Sequence, residues 1–369
     1  MKKNIMEYFV PWLEGIKMYI SPHIELAWKN PSLHRMMSNE NPLEPSEKVL
    51  EAINKYARMG NRYADQGTVV RSKIAEINGL DGPENVMLGN GSSEVYDMIW
   101  RSLIVPNQGE EIIQHTPCFG IYKLRAGIVG AKLVSVPMKY EDRQLKFDAD
   151  AILEAITPKT KIIVIANPNN PTGNFMDHED FIRIAETGIP FVIDEAYVEF
   201  AGLGKSKIGM IANYPNVIIT RTLSKAYGLA GLRFGYLLSN KDVVAKISAT
   251  LIPWNVSTVT MWAALAAFED TEGLKKRVDF INSQVKYIEE SLSDIEGLTI
   301  FHSNGNYILF DAKGTGKKGN DVVAYAEKNG IILRPQPEMY GSDGFFRITI
   351  GTEEENKMAV KIIREFLTS

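Results

Sequence analysis

The sequence predicts an α/β protein: a large unit with a mainly parallel sheet flanked by helices over residues 44–255, and a smaller α+β unit made of residues 256–369 with the N-terminal segment 1–43. Three observations lead there. The chain has 369 residues, more than the ~100–200 that one domain usually holds. Between about residues 45 and 255, short apolar runs alternate with helix-length amphipathic stretches, the pattern of a parallel sheet covered on both faces. After about residue 255 the texture changes to a long helical stretch, short strands and a terminal helix.

The elements follow in chain order. The first forty or so residues carry no pattern of a separate unit and are expected to pack against one of the two. NVMLG (85–89), EIIQH (111–115), KLVSVP (132–137), KIIVIA (161–166), PFVID (190–194) and NVIITR (216–221) have the length and branched content of buried strands. Helices are expected between them at 92–104, 117–130 and 178–187. In the second unit one long helical stretch, 258–292, leads to a strand at 305–310, a helix at 321–329, strands at 330–334 and 345–351, and a last helix.

Composition narrows the function. Apolar residues make up 45% and charged residues 23%, with a net charge of −4, which argues against disorder, a nucleic-acid footprint or a polybasic membrane surface. Small-molecule partners are expected. The N-terminal stretch is interrupted by Glu7, Pro11 and Glu14 before an apolar run reaches signal length, and no run of ~18 apolar residues follows, so a cytoplasmic location is expected. The one cysteine, Cys118, has no partner for an internal disulfide and reads as a small packing residue. Five scattered histidines lack metal-ligand spacing, and no metal site is expected.

Three strand ends carry unusual residues. KIIVIA runs into NPNNPTG (167–173), PFVID into DEAYVEF (194–200), and NVIIT into RTLSKAYGLAGLR (221–233). Parallel strands end on one side of a sheet, where ligands bind, so Asn170, Asp194, Tyr197 and Lys225 should converge in one crevice. A lysine held partly neutral there can attack a carbonyl and form a Schiff base. An acid emerging from the core is costly unless paired, and a protonated ring nitrogen is one partner that stabilises it. Lysine and aspartate together are what pyridoxal phosphate needs. Ser224 and Arg233 suit its phosphate, and GNGSSEVYD (89–97), a glycine-bearing strand end opening a helix, offers a second anion cradle.

Taken in order, SNENP (38–42), NRYAD (61–65), GNGSSE (89–94), TPCFGIY (116–122), NPNNPTG, DEAYVEF, RTLSKAYGLAGLRFGY, GNYILF, GIILRP (330–335) and FFRITIG resemble the fold-type I pyridoxal-phosphate aminotransferases, and within them the histidinol-phosphate aminotransferase family most. The resemblance covers about residues 38–351. It implies that Lys225 holds the cofactor and shuttles the substrate's proton, that Asp194 pairs with the pyridine nitrogen, and that Tyr197 and Asn170 bond the ring hydroxyl. Phe119 would stack on the ring. Gly91, Ser92, Ser93, Thr222, Ser224 and Arg233 would surround the phosphate, with Tyr63 reaching it from the other subunit of a homodimer. Arg347 would grip the substrate carboxylate, Arg334 would lie near the distal end, and Asn41 would join the substrate site. An amino donor and a keto acid acceptor are the implied partners.

Departures from the family pattern fall in three places. Ser93 stands where an aspartate is usual, Cys118 and Phe119 where Thr and Tyr are frequent, and the N-terminal KMYISPHIELAW (17–28) matches poorly, with Tyr19 as the candidate for the family's substrate-side tyrosine. Aromatic or other amino-phosphate aminotransferases and a threonine-phosphate-type decarboxylase stay open, as does a non-catalytic module of this fold. A nicotinamide dehydrogenase should show G-x-G-x-x-G, and GNGSSE lacks the third glycine.

Overall fold

The computed structural model describes residues 4–369. Seven strands form the central sheet: β1 (Val86–Gly89), β2 (Glu111–Thr116), β3 (Lys132–Pro137), β4 (Thr160–Ala166), β5 (Phe191–Asp194), β6 (Val217–Thr222) and β7 (Gly235–Leu238). Their spatial order is β1-β7-β6-β5-β4-β2-β3. The pairs β2–β3, β2–β4, β4–β5 and β5–β6 are parallel, and β7 runs antiparallel to both neighbours, β1 and β6. No strand was expected at β7, because GYLL offers only four residues directly behind a glycine-rich turn. β3 was expected to be buried; it lies at the sheet edge, and Lys132, Ser135 and Pro137 are exposed.

The β-branched runs explain the sheet's two covered faces. Successive side chains of a strand point to opposite sides. Ile113, Ile163, Ile165, Ile193 and Ile219 accordingly enter one apolar cluster, while Ile112, Ile162, Val164, Val192 and Ile218 enter another. Burying each such side chain is worth about 1.5–3 kcal/mol. Helices α1 (Glu47–Ala57), α2 (Thr68–Ile77), α3 (Ser92–Leu103), α4 (Ile121–Ile128) and α5 (His178–Ala185) belong to this half of the chain, and Val95, Ile99, Tyr122 and Phe181 are among the side chains they bury.

The second half differs from expectation at its start. The stretch 258–292 is two helices, α6 (Thr258–Glu269) and α7 (Thr271–Leu292), broken at Asp270, whose carboxylate accepts the Gly273 N–H and caps α7. α6, expected in the smaller unit, packs on α1 and α2. A four-stranded antiparallel sheet follows, β8 (Thr299–Phe301), β9 (Tyr307–Asp311), β10 (Arg334–Pro335) and β11 (Phe345–Thr349), in the order β8-β9-β11-β10. The terminal helix is α8 (Glu353–Leu367). GIILR is split, since Ile331–Ile332 pairs instead with His34–Arg35 in parallel. The N-terminal segment therefore reaches both halves and not one: His34–Arg35 joins the second, while Trp12 Nε1 donates to the Ile128 carbonyl at 3.2 Å in the first.

Candidate active site

The carboxyl ends of β4, β5 and β6 open into a cavity of about 570 Å³. Asn170 comes from the turn after β4, Asp194 from the last position of β5, Tyr197 from the turn beyond it, and Thr222, Ser224 and Lys225 from the end of β6. All six line the cavity, as do Ser92, Ser93, Phe119 and Arg233. The second half contributes Arg334 and Arg347, and the N-terminal segment contributes Tyr19 with Arg35, Ser38, Asn39 and Glu40.

Lys225 sits with its Nζ 3.0 Å from the Asn39 carbonyl and 3.3 Å from that of Ser38. Burial, and then the Arg347 charge, pull its pKa down to about 8. Its amine is therefore part neutral near physiological pH, as a nucleophile toward a carbonyl needs. Asp194 accepts a hydrogen bond from Tyr122 Oη at 2.5 Å and another from the Ala196 N–H at 3.0 Å. Burial raises its pKa, and these donors oppose the rise. Tyr197 accepts from Asn39 Nδ2 at 2.9 Å, which leaves its own proton to donate elsewhere. Burial pushes that phenol up to about 12, so it stays protonated.

Glycines shape the anion end. Gly91 has φ +79°, and a methyl built on it would overlap the Arg233 guanidinium; one built on Gly235 would overlap the Gly91–Ser92 backbone. The turn opening α3 thus lies flush against β7, with Arg233 tucked against the turn. The first N–H groups of a helix have no intrahelical acceptor and carry the positive dipole end. With the hydroxyls of Ser92, Ser93, Thr222 and Ser224, which line the cavity, they could hold a phosphate.

Arg347 is buried in β11 and donates Nη1 to Asn170 Oδ1 at 2.5 Å and Nη2 to the Met37 carbonyl at 2.8 Å. Its Nε is buried without a partner. Arg334 faces it in register on β10 and makes no ion pair among the described residues. Two neighbouring guanidiniums with no carboxylate between them call for an anionic ligand. Glu40, an acid that also lines the cavity, is taken by Arg35, with Oε1 2.9 Å from Nη2.

Comparison with known proteins decides the family. Residues 33–363 match the family described as aminotransferase class I and II. The chain belongs to that family. Among relatives of these aminotransferases, the histidinol-phosphate aminotransferase of Akkermansia muciniphila is 35% identical over 93% of this chain and 92% of its own length. That of Methanosphaera stadtmanae is 32% identical, covering 91% of each chain. The crystal structure of histidinol-phosphate aminotransferase from Sinorhizobium meliloti in complex with pyridoxal-5'-phosphate superposes with a TM-score of 0.86 at 26% identity, over 97% of this chain and 98% of that one.

Three expected site residues, Asn41, Tyr63 and Gly91, do not line this aminotransferase's cavity. Asn41 does not line it: Nδ2 donates to the Lys225 and Ala226 carbonyls, both at 3.2 Å, and Oδ1 accepts the Leu43 N–H, so the side chain braces the lysine's backbone with both of its amide protons. Tyr63 is 79% exposed and stacks on Trp254 at 4.3 Å, away from the cavity of its own chain. Gly91 does not line the cavity but allows Arg233 to reach it. Sequence reasoning missed Tyr122, Asn39, Glu40 and Arg35. Tyr122 carried a signal, its spacing of three from Phe119, and Asn39 and Glu40 lay within SNENP. Among the described residues no helix is long and apolar enough to cross a membrane, and no three His, Cys, Asp or Glu side chains gather to hold a metal ion.

The residues present fit pyridoxal phosphate. A partly neutral buried lysine, a buried acid held by donors, an aromatic side chain at Phe119 and a glycine-lined anion seat meet around one cavity.

Proposed function

We propose that this aminotransferase uses pyridoxal phosphate to exchange the amino group of histidinol phosphate with 2-oxoglutarate, giving imidazole acetol phosphate and glutamate in a ping-pong cycle. The observation that carries the substrate reading is the facing pair Arg334 and Arg347, one without an ion pair among the described residues and the other with a buried, unpartnered Nε. The pair suits a phosphate dianion in one half of the cycle and a dicarboxylate in the other. The names of the relatives support the same substrate.

When bound, pyridoxal phosphate supplies an electron sink for the pair left when the substrate's α-proton is removed. Ser92, Ser93, Thr222, Ser224 and Arg233 would hold its phosphate, and Asp194 would pair with its protonated ring nitrogen. Tyr197 and Asn170 donate to its ring oxygen; Asn170 Oδ1 is occupied by Arg347, which leaves Nδ2 free for that bond. Phe119 covers one ring face. The Lys225 amine would take the proton from the substrate α-carbon and hold it for return. Arg347 fixes the acidic end of the substrate. The working unit is a homodimer in the cytoplasm, with Tyr63 reaching the phosphate across the subunit interface; its exposure and its absence from the lining of its own cavity support that reading.

The test is the absorption spectrum of the purified enzyme before and after histidinol phosphate is added without a keto acid. Conversion of the bound cofactor to its pyridoxamine form supports this substrate. No change, while phenylalanine or glutamate still converts it, rejects histidinol phosphate and moves the donor to the aromatic or general amino acid class.

A further inference from the structure

We infer that Tyr122 is a positioning residue for this chemistry: its buried phenol holds the Asp194 carboxylate as an anion turned toward the cavity, where it meets the cofactor's ring nitrogen. The inference rests on the cofactor reading above. Asp194 lies at the end of a core strand, and no arginine or lysine is paired with it among the described residues. Burial alone would leave such an acid protonated, and a protonated acid cannot stabilise a ring cation. What opposes protonation is hydrogen bonding. Oδ2 accepts Tyr122 Oη at 2.5 Å and Oδ1 accepts the Ala196 N–H at 3.0 Å. A phenol donating to a carboxylate at this distance makes the stronger, charge-assisted kind of bond.

Tyr122 has little freedom to do anything else. It is fully buried, its ring standing edge-on to Tyr96 at 5.2 Å and 86° and to Phe119 at 6.1 Å and 83°. One side chain therefore braces both the acid at the ring nitrogen and the aromatic ring expected on the cofactor's face. The other groups facing Asp194 are Tyr96 from α3, Cys118 before α4, Tyr197 beyond β5, Tyr307 on β9 and Lys225. Tyr96, its hydroxyl 3.0 Å from Thr220 Oγ1, also helps to hold the acid ionised but with a smaller effect than Tyr122, while burial pushes the Cys118 thiol up to about 12 and keeps it neutral. The adjacent Glu195 is engaged by Arg221 at 2.9 Å.

Tyr122→Phe removes one hydroxyl and keeps the ring. Affinity of the cofactor-free protein for pyridoxal phosphate, read by quenching of its fluorescence, is expected to fall about ten- to a hundredfold, the worth of one hydrogen bond to a charged group. The pH midpoint of the bound cofactor's visible absorption is expected to rise, because a less firmly protonated ring repels the neighbouring proton less. In an Asp194→Asn background the same substitution is expected to add nothing further, since its effect travels through the carboxylate. An unchanged affinity and midpoint, or equal losses in both backgrounds, would overturn the inference. Should the Phe variant not fold, Tyr122→Leu, which also lacks a donor, carries the same readouts, and an unmoved midpoint sinks the idea. Wild-type protein that never takes up pyridoxal phosphate would instead bring down the cofactor reading and this inference with it.

Discussion

Lys225 is a cation held where a cation is costly, and its amine receives only two backbone carbonyls in return. Burial and the Arg347 charge place its pKa at about 8, below the ordinary 10.5. Between those two values the unfolded chain binds the proton that the folded chain has lost, so this residue's contribution to stability rises with pH across that window. The same titration governs reactivity. Recombination of the cofactor-free enzyme with pyridoxal phosphate is expected to accelerate as pH climbs through about 8 and to level off above it, and Arg347→Ala is expected to move that midpoint upward. Stopped-flow absorbance across pH gives both, and a midpoint indifferent to Arg347 would remove its charge as a cause. Lys225, Asp194 and Arg233 were legible in the sequence because their strand-end motifs fix backbone and side chain together. For Asn41 the motif gave proximity to the lysine without telling which side of it the amide faces, and the side chain bonds the Lys225 and Ala226 carbonyls.

Among the elements, α8 shows how a local sequence signal holds a distant part of the site. Thr352 Oγ1 accepts the Glu355 N–H at 3.3 Å, and Glu355 Oε2 accepts the Thr352 N–H at 2.8 Å, a capping box that opens the helix. The other oxygen of Glu355 lies 2.9 Å from His34 Nδ1, next to the Arg35 that lines the cavity. Thr352→Ala is expected to cost about 1 kcal/mol in urea unfolding, the usual worth of such a cap, with kcat little changed. A loss of activity without a loss of stability would show that the helix start acts on the site directly. The strands of the parallel core were readable from runs of isoleucine and valine. The break between α6 and α7 was not, because TVTMWAALAAFEDTEGL contains no proline and its one aspartate passes for a helical surface residue until the chain turns there.

At the scale of the whole molecule, the order of motifs along the chain gave the class of fold, whereas the side on which each half packs depended on contacts between residues far apart in sequence, which no local pattern records. Tyr63 is the case with consequences for assembly, since a single chain leaves it exposed beside Trp254. Co-refolding Lys225→Ala chains with Tyr63→Ala chains is expected to restore activity that neither has alone, because one site of each mixed dimer then holds both native residues; no recovery would show that the tyrosine is not shared. The antiparallel strand β7 also sets the order of events at birth. β1 ends at Gly89 and, among the described residues, its one neighbour in the sheet is β7, which begins at Gly235. At ~5–20 residues per second of synthesis, the nascent β1 waits on the order of ten seconds on the ribosome for its partner to emerge. Gly91 and Arg233 flank the two strands, so the turn proposed to seat the phosphate meets Arg233 in the same act that closes the sheet edge, and a truncated nascent chain has neither.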